Sequence, residues 1–220
     1  MRALVIGDSG GIGAAMTEAL RQDGVEVTGL SRRDSLDLTD QASVASAAAM
    51  LADRRFDLIF NATGALVIDG HAPETTIAAI DAHAMAQHFA LNATGVALLL
   101  RHFSPLMARG QRAVFASLSA RVGSIGDNGL GGWISYRAAK TAQNQIIRTA
   151  AIEIARKQKQ HIVVALHPGT VATRLSAAYA DRHPTISPDE SAKALLAVMD
   201  RLTPDDTGTF WDWKGKRIAW

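Results

Sequence analysis

Short apolar runs alternate along this chain with longer amphipathic segments. Apolar runs with the length of buried strands lie at Ala3–Ile6, Val25–Leu30, Phe56–Phe60, Ala113–Leu118 and His161–Leu166. Segments with helical periodicity follow them, at 12–22, 41–53, 73–88, 91–107, 133–159 and 188–202. Strands that alternate with helices predict an α/β fold, in which a parallel sheet carries helices on both faces. We expect one domain over residues 1–220, with a last strand at Thr207–Phe210 and a short substrate-side lid at about 174–188.

A glycine-rich turn joins the first predicted strand to the first predicted helix. It reads Gly7-Asp8-Ser9-Gly10-Gly11-Ile12-Gly13, so glycines 7, 11 and 13 are separated by three residues and then by one. Glycine permits a tight turn and a close approach of the backbone to a pyrophosphate. Because the first N–H groups of a helix are unpaired and the helix dipole is positive there, this turn predicts a dinucleotide-binding site.

The residues after the second predicted strand indicate which dinucleotide is bound. Ser31, Arg32 and Arg33 stand where an acidic side chain often holds the ribose 2′-hydroxyl of NAD. A guanidinium can instead bind a 2′-phosphate through a bidentate pair of hydrogen bonds. The sequence therefore favours NADP(H) over NAD(H).

Tyr136 and Lys140 form a candidate acid–base pair. Because they are four residues apart in a predicted helix, they lie on one face of it. Tyrosine normally titrates near pH 10, and a neighbouring ammonium favours the phenolate, so we expect Lys140 to lower the pKa of Tyr136. A serine at the end of the preceding strand can steady a substrate oxygen, and either Ser117 or Ser119 could supply that hydroxyl.

In their order along the chain, these motifs resemble the short-chain dehydrogenase/reductase family, whose glycine turn usually reads TGxxxGIG. The segment Leu118–Ile125 and the tail Trp211–Trp220 resemble its C-factor-like branch, which favours Ser119 as the active serine. The resemblance implies a single-domain Rossmann fold with a doubly wound parallel sheet of about seven strands. It also implies reversible hydride transfer between nicotinamide and a small carbonyl or alcohol substrate.

The resemblance extends to site residues in each part of the chain. Asn61-Ala62-Thr63-Gly64 matches the family's NNAG motif except at Thr63, and Asn92 matches the asparagine of a helix motif that supports a water relay. The implied catalytic residues are Asn92, Ser119, Tyr136 and Lys140. With the glycine turn and the arginine pair, the expected cofactor contacts are Gly7, Ser9, Gly10, Gly11, Ile12, Gly13, Ser31, Arg32, Arg33, Asp37, Leu38, Asn61, Ala62, Gly64, Tyr136, Lys140, Pro168, Gly169, Val171 and Thr173.

Composition narrows the picture further. The net charge is +2 with scattered basic residues, which does not indicate a nucleic-acid surface. The chain has no cysteine and no H-E-x-x-H pattern, so we expect no disulfide and no metal, and a cytoplasmic location fits. No apolar run reaches the length that spans a membrane.

Two further expectations concern assembly and an alternative role. The segments Phe89–Met107 and Trp133–Lys159 carry apolar residues over more than one face, and in the resembling family these helices pair across a two-fold axis. We therefore expect a homodimer or a homotetramer, which a charge at Ile147 or Ala151 would dissociate. The alternative function is a cofactor-binding signalling or regulatory protein with little turnover, since the C-factor-like branch is associated with intercellular signalling.

Overall fold

Six short strands form the central sheet of the protein. The computed structural model describes residues 1–173 and 185–220, and every statement of structure below refers to them. The strands are β1 (Arg2–Ile6), β2 (Glu26–Leu30), β3 (Leu58–Asn61), β4 (Ala113–Leu118), β5 (His161–His167) and β6 (Phe210–Asp212). All pair in parallel, in the order β2-β1-β3-β4-β5-β6. The carboxyl ends of the strands therefore meet along one edge of the sheet, where ligands bind in open α/β folds.

Helices cover both faces of this sheet. They are α1 (Gly11–Gln22), α2 (Gln41–Ala49), α3 (Ala82–Phe89), α4 (Gly95–Phe103), α5 (Ile134–Lys157) and α6 (Pro188–Arg201). None of them has the length and hydropathy needed to cross a membrane. The predicted fold class is confirmed, although the described residues form six strands rather than about seven.

Side-chain alternation in the strands builds two separate cores. In β1, Leu4 and Ile6 face the core that α2, α4 and α5 cover, whereas Ala3 and Val5 face the core under α1 and α6. Successive strand residues point to opposite faces, so a strand buried on both faces is apolar throughout. This explains why the strands read as continuous apolar runs rather than as alternating ones.

Two predicted helices differ from the observed ones. The segment predicted as a helix at 73–88 contains only a 3-10 turn, Ile77–Ala79, before α3 begins. Asp81 sets that late start, because its Oδ1 accepts a hydrogen bond from Ala84 N at 2.8 Å, as an N-cap does. The segment predicted at 91–107 begins in a π-helical turn, Ala90–Thr94, that precedes α4.

The last part of the chain also departs from expectation. The last strand is Phe210–Asp212 rather than Thr207–Phe210, and Trp211 forms an antiparallel bridge with Arg217, so the tail adds no parallel strand. Residues 174–184 of the predicted lid lie outside the described residues. At its other end, Ser187 caps α6 by accepting a hydrogen bond from Glu190 N at 3.1 Å.

Candidate active site

The glycine turn brings α1 very close to the end of β1. Gly7 has a φ of +89°, and its carbonyl oxygen accepts a hydrogen bond from Gly10 N at 3.0 Å. A Cβ at position 13 would collide with the Gly7 carbonyl, so only glycine fits there. The first N–H groups of α1, starting at Gly11, are left for an external acceptor, as at any helix start. The predicted succession of strand, glycine turn and helix is therefore present.

Asp8 is a polar residue of this turn that the sequence analysis did not assign to the site. Its carboxylate lies against β2 at Gly29, where a Cβ would collide with it. Its Oδ1 atom is buried and has no hydrogen-bond partner among the described residues. Glycine at position 29 thus makes room for the Asp8 side chain.

The end of β2 presents two free arginines. Arg32 and Arg33 are exposed, and their guanidinium groups form no hydrogen bond or ion pair within the described residues. The nearby acid, Asp34, is already engaged, since its Oδ2 accepts hydrogen bonds from Ser31 N at 2.9 Å and Ser31 Oγ at 3.1 Å. That capping box keeps the one carboxylate of this turn on Ser31 rather than on an arginine.

Asp37 and Leu38 occupy the loop that follows. Hydrogen bonds from Thr39 N (2.8 Å) and Thr39 Oγ1 (2.7 Å), together with the charge of Arg32, lower the pKa of Asp37. Leu38 is buried in the core, where Gly95 lets α4 approach it closely. Both residues stabilise the loop, and neither lines the cavity that lies at the carboxyl edge of the sheet.

Asn61 links two strands inside the sheet. It is fully buried; its Nδ2 donates to Ser117 Oγ at 2.9 Å, and its Oδ1 accepts from Thr63 N at 3.1 Å and from Thr63 Oγ1. Thr63, which departs from the family motif, thus contributes a hydroxyl that Asn61 uses. The Asn61 side chain supports the sheet and does not reach the cavity.

A cavity of about 570 Å³ lies at the carboxyl edge of the sheet. It is reached by ten of the residues predicted for cofactor binding or catalysis, which come from five separate segments of the chain. They are Ile12, Ala62, Gly64, Ser119, Tyr136, Lys140, Pro168, Gly169, Val171 and Thr173. The fold therefore brings together residues that are more than 150 positions apart in the sequence.

Tyr136 and Lys140 are both buried, with the ammonium 5.8 Å from the centre of the phenol ring. Burial raises the pKa of Tyr136 above its ordinary value and lowers the pKa of Lys140 to about 7. The expected lowering of the tyrosine pKa is not met in the protein chain alone, because burial removes the hydration that a phenolate needs. At neutral pH, Tyr136 carries its proton.

The two candidate serines have different surroundings. Ser119 lines the cavity, and its hydroxyl donates to Asn144 Oδ1 at 2.6 Å; Asn144 Nδ2 in turn donates to Gly123 O at 3.1 Å. Ser117 is fully buried in β4 and accepts hydrogen bonds from Asn61 and from Gln143. Only Ser119 faces the space that a substrate could enter. The sequence analysis did not identify Asn144. The available signal was a polar amide four residues after Lys140, which places it on the same face of the helix.

Asn92 lies in the π-helical turn between α3 and α4. Its Oδ1 accepts from Ala65 N at 3.1 Å, while its Nδ2 donates to Ala65 O at 3.0 Å and lies 3.4 Å from His88 Nδ1. These bonds fix the amide and secure the loop after β3. The His88 ring packs edge-on against Tyr136 at 5.9 Å, and burial lowers the pKa of His88, so that Nδ1 accepts from Asn92.

The start of α5 is held from outside the helix. Trp133 has a φ of +52° and no side-chain cap, and its N–H donates to the Glu74 carbonyl at 2.6 Å. The Glu74 carboxylate accepts from Ser135 N at 2.8 Å and from the Ser135 hydroxyl. Glu74, which sequence reasoning did not single out, therefore caps the helix that carries Tyr136 and Lys140.

The predicted nicotinamide-side segment follows β5. Gly169 has a φ of +85°, and a Cβ there would lie 2.9 Å from Trp213 Nε1. His167 also lines the cavity, but burial, reinforced by the charge of Arg121, lowers its pKa to about 4, so it is neutral. No group of three or more His, Asp or Glu side chains in the described chain is arranged to hold a metal ion.

These features fit a dinucleotide. A Cβ at Gly11 would lie 2.8 Å from Thr173 Cγ2, and one at Gly64 would lie 3.1 Å from Lys140 Nζ. Each of these two glycines therefore makes room for a side chain that lines the cavity, Thr173 or Lys140. Ile12 of the glycine turn lines the same cavity as Tyr136 and Lys140, so this cavity could hold a dinucleotide that extends from the turn to the pair.

Comparison with known proteins places the chain in a family. A family model described as enoyl-(acyl carrier protein) reductase matches residues 35–209, which is more than half of the chain. The chain belongs to the short-chain dehydrogenase/reductase family. It is an NAD(P)-dependent oxidoreductase.

Three similar proteins illustrate the range of this family. The chain is 28% identical to a Rhodococcus 1-hydroxy-2-glutathionyl-2-methyl-3-butene dehydrogenase, covering 99% of this chain and 98% of the relative. It is 30% identical to the C-signal protein of Myxococcus xanthus, over 64% of this chain and 81% of the relative. It also resembles the NADPH-bound carbonyl reductase from chicken fatty liver, with 26% identity, a TM-score of 0.83 and coverage of 100% and 94% of the two chains.

Replacement of Lys140 by methionine tests the electrostatics of this site. Below pH 7 the folded protein must hold a buried charge, whereas above pH 10.5 lysine is neutral in both the folded and the unfolded state. The folded protein binds fewer protons than the unfolded one between these values, so wild-type stability rises with pH across this window. We expect Lys140→Met to be more stable than the wild type at pH 6–7, with the difference shrinking toward pH 10. Urea denaturation of the two cofactor-free proteins at several pH values measures this difference in the free energy of unfolding. A difference that does not change with pH would contradict the prediction.

Proposed function

We propose that the protein is an NADP(H)-dependent oxidoreductase that interconverts a small carbonyl compound and its alcohol. The observation that supports it most is the convergence of Ser119, Tyr136 and Lys140 on one cavity with Pro168–Thr173. When bound, the nicotinamide supplies or accepts the hydride. The protein must then bind the carbonyl oxygen, exclude water and move one proton.

The proton step belongs to Tyr136. Because burial keeps its hydroxyl protonated at neutral pH, Tyr136 can donate a hydrogen bond to a substrate carbonyl oxygen. As that oxygen gains negative charge, the tyrosine O–H bond breaks and the proton moves to it, leaving a phenolate beside the Lys140 ammonium. Ser119, oriented by Asn144, would hold the same oxygen, and Lys140 would also hold the ribose.

Asn92 would support the return of the proton from solvent. Both polar atoms of its side chain already have partners, since Oδ1 accepts from Ala65 and Nδ2 contacts Ala65 and His88. It lies in a π-helical turn, where the backbone pairing of an α-helix is interrupted, as is frequent at functional sites. The expected water relay would therefore run along backbone groups of this turn, with Asn92 keeping the turn in place.

The preference for NADP(H) rests on charge. The guanidinium groups of Arg32 and Arg33 are exposed and form no hydrogen bond or ion pair in the described chain, while Asp34 is engaged with Ser31. Two free guanidinium groups attract a 2′-phosphate, whereas no free carboxylate of this turn is placed to bind a 2′-hydroxyl.

The walls of the cavity favour an uncharged substrate. Its apolar side includes Leu66, Val122 and Leu130. The two arginines that reach it are engaged: Arg137 donates to Gly132 O at 2.9 Å, and Arg121 pairs with Asp127 (2.9 Å) and Asp212 (3.0 Å). Two carboxylates thus balance the charge of Arg121, whereas backbone carbonyls hold the Arg137 side chain in place.

We also propose that the chain forms a homo-oligomer through α4 and α5. A groove of about 520 Å³ runs between these helices on the outer surface, and Ile146, Ala150 and Ile154 line it. The expectation that charge at Ile147 or Ala151 dissociates the assembly is wrong, because both side chains are fully buried in the core of their own chain. A charge there would unfold the protein, so the contact is tested at Ala150.

Loss of the Tyr136 hydroxyl tests the catalytic role. We expect Tyr136→Phe to reduce NADPH-dependent turnover of a panel of aliphatic and aromatic carbonyl compounds by about 100-fold or more, because the proton donor is gone. The variant should still bind NADPH, as measured by fluorescence titration. Near-normal turnover by the folded variant would contradict the mechanism.

The alternative function, a signalling protein with little turnover, is suggested by the similarity to C-signal. Such a protein would show negligible wild-type rates with every carbonyl compound.

The arginine pair is tested by replacing both residues with alanine. Each lost charge-assisted hydrogen bond costs about 1.5–3 kcal/mol, so the preference for NADPH over NADH should fall at least about tenfold. The dissociation constants of both cofactors measure this. Arg21→Ala, an exposed arginine at the far end of α1, is the control and should leave the ratio unchanged. Equal weakening of both cofactors would show that the pair does not recognise the 2′-phosphate.

The oligomer is tested by Ala150→Asp. A two-fold contact places two copies of the new charge at the interface, so we expect light scattering to show a 23.4 kDa monomer for the variant and a larger mass for the wild type. Ala197→Asp, on the exposed face of α6, is the matched control and should keep the wild-type mass. A monomeric wild-type protein at micromolar concentration would refute the proposal.

A further inference from the structure

Gln143 is a fully buried amide on the face of α5 that packs against β4. It lies three residues after Lys140, so the two side chains are neighbours on the helix. A buried amide that is not hydrogen-bonded costs free energy, so its partners show what it does.

Each polar atom of Gln143 has a partner. Its Oε1 accepts a hydrogen bond from Lys140 Nζ at 2.9 Å, and its Nε2 donates to Leu118 O at 2.9 Å and to Ser117 Oγ at 3.1 Å. Because the Leu118 carbonyl can only accept, the NH2 group must face it, and the oxygen must face the ammonium. The orientation of the amide is thus set by the backbone of β4.

The ammonium of Lys140 is held on one side only. It donates to Gln143 and, over 3.4 Å, to Leu118 O. Gly64 lies directly beside Nζ, since a Cβ there would be 3.1 Å from it, and both residues line the cavity. A hydrogen bond from Gln143 Nε2 to Ser117, and another from Asn61 to Ser117, connect this arrangement to β3.

We propose that Gln143 is a positioning residue, which holds the Lys140 ammonium in its charged form and directs it toward the cavity. This inference rests on the proposed function, since Lys140 acts there on Tyr136 and on the cofactor ribose. The ammonium is then held by an amide dipole, which β4 orients, rather than by a carboxylate.

The surroundings of the ammonium make this dipole important. Burial alone lowers the pKa of Lys140 to about 7, so a small change decides whether it is charged at neutral pH. The titratable groups around it are Tyr136 on its own helix and, behind the tyrosine ring, His88 of α3, which faces Glu74. No described carboxylate forms an ion pair with Lys140.

Two substitutions of Gln143 should move the titration of Lys140 in opposite directions. Gln143→Met keeps the length of the side chain but removes the oxygen, so we expect the midpoint to fall by about one pH unit. Gln143→Glu places a carboxylate beside the ammonium and should raise the midpoint. Gln145→Met is the matched control, because Gln145 is exposed and its side chain bonds, within the described residues, to Thr149 alone.

The midpoint is read in two ways. NMR of the cofactor-free protein labelled with 13Cε-lysine, with the Lys140 signal assigned through Lys140→Arg, reports the titration directly. The alkaline limb of kcat/KM with NADPH should shift by the same amount and in the same direction, whereas a merely structural role would lower the rate at every pH.

Each result bears on the inference. Opposite shifts in the two variants, with no shift in the control, support it, and unchanged midpoints in folded variants overturn it. If Gln143→Met does not fold, Gln143→Glu, which matches the glutamine in shape, decides alone. A wild-type protein without turnover would refute the proposed function, while the NMR titration would still measure what Gln143 does to Lys140.

Discussion

The candidate site depends on the close packing of α5 against β4 and against the 3-10 turn that follows it, Arg121–Gly123. Gly123 makes it possible, because a Cβ there would lie 2.8 Å from Lys140 Cβ. Thr141 Oγ1 and Asn144 Nδ2 both donate to the Gly123 carbonyl, at 2.9 Å and 3.1 Å. At this distance the polar side chains of α5 reach β4 directly, so hydrogen bonds orient Ser119 and Lys140 rather than apolar contacts alone.

The same packing decides the charge states of the site. Tyr136 and Lys140 lose most of their hydration, which favours the neutral form of each and brings the pKa of Lys140 to about 7. Around them, the protein supplies neutral side-chain amides. Asn92 bonds to the loop after β3, Asn144 accepts from the Ser119 hydroxyl, and Gln143 accepts from the Lys140 ammonium. Oriented dipoles can favour a charged state without the desolvation cost of a second buried ion.

The parallel sheet explains how distant segments share this site. Because the strands run in one direction, the turn after β1, the motif after β3, the serine after β4 and the segment after β5 emerge at one edge. Most of what the sequence predicted locally is found there: the glycine turn, the Tyr136–Lys140 spacing and the arginines after β2. These motifs were readable because each depends on residues that are neighbours in the chain.

Local order in the sequence determined the element order, the strand–glycine–helix turn and the candidate acid–base pair. Only the tertiary structure separated Ser119, which lines the cavity, from Ser117, which the sheet encloses, and showed that Asp34 is used by Ser31. It also reversed the expected direction of the Tyr136 pKa and placed Ile147 in the core rather than on the surface. Each of these outcomes depends on burial and on partners far along the chain, which periodicity and spacing do not encode.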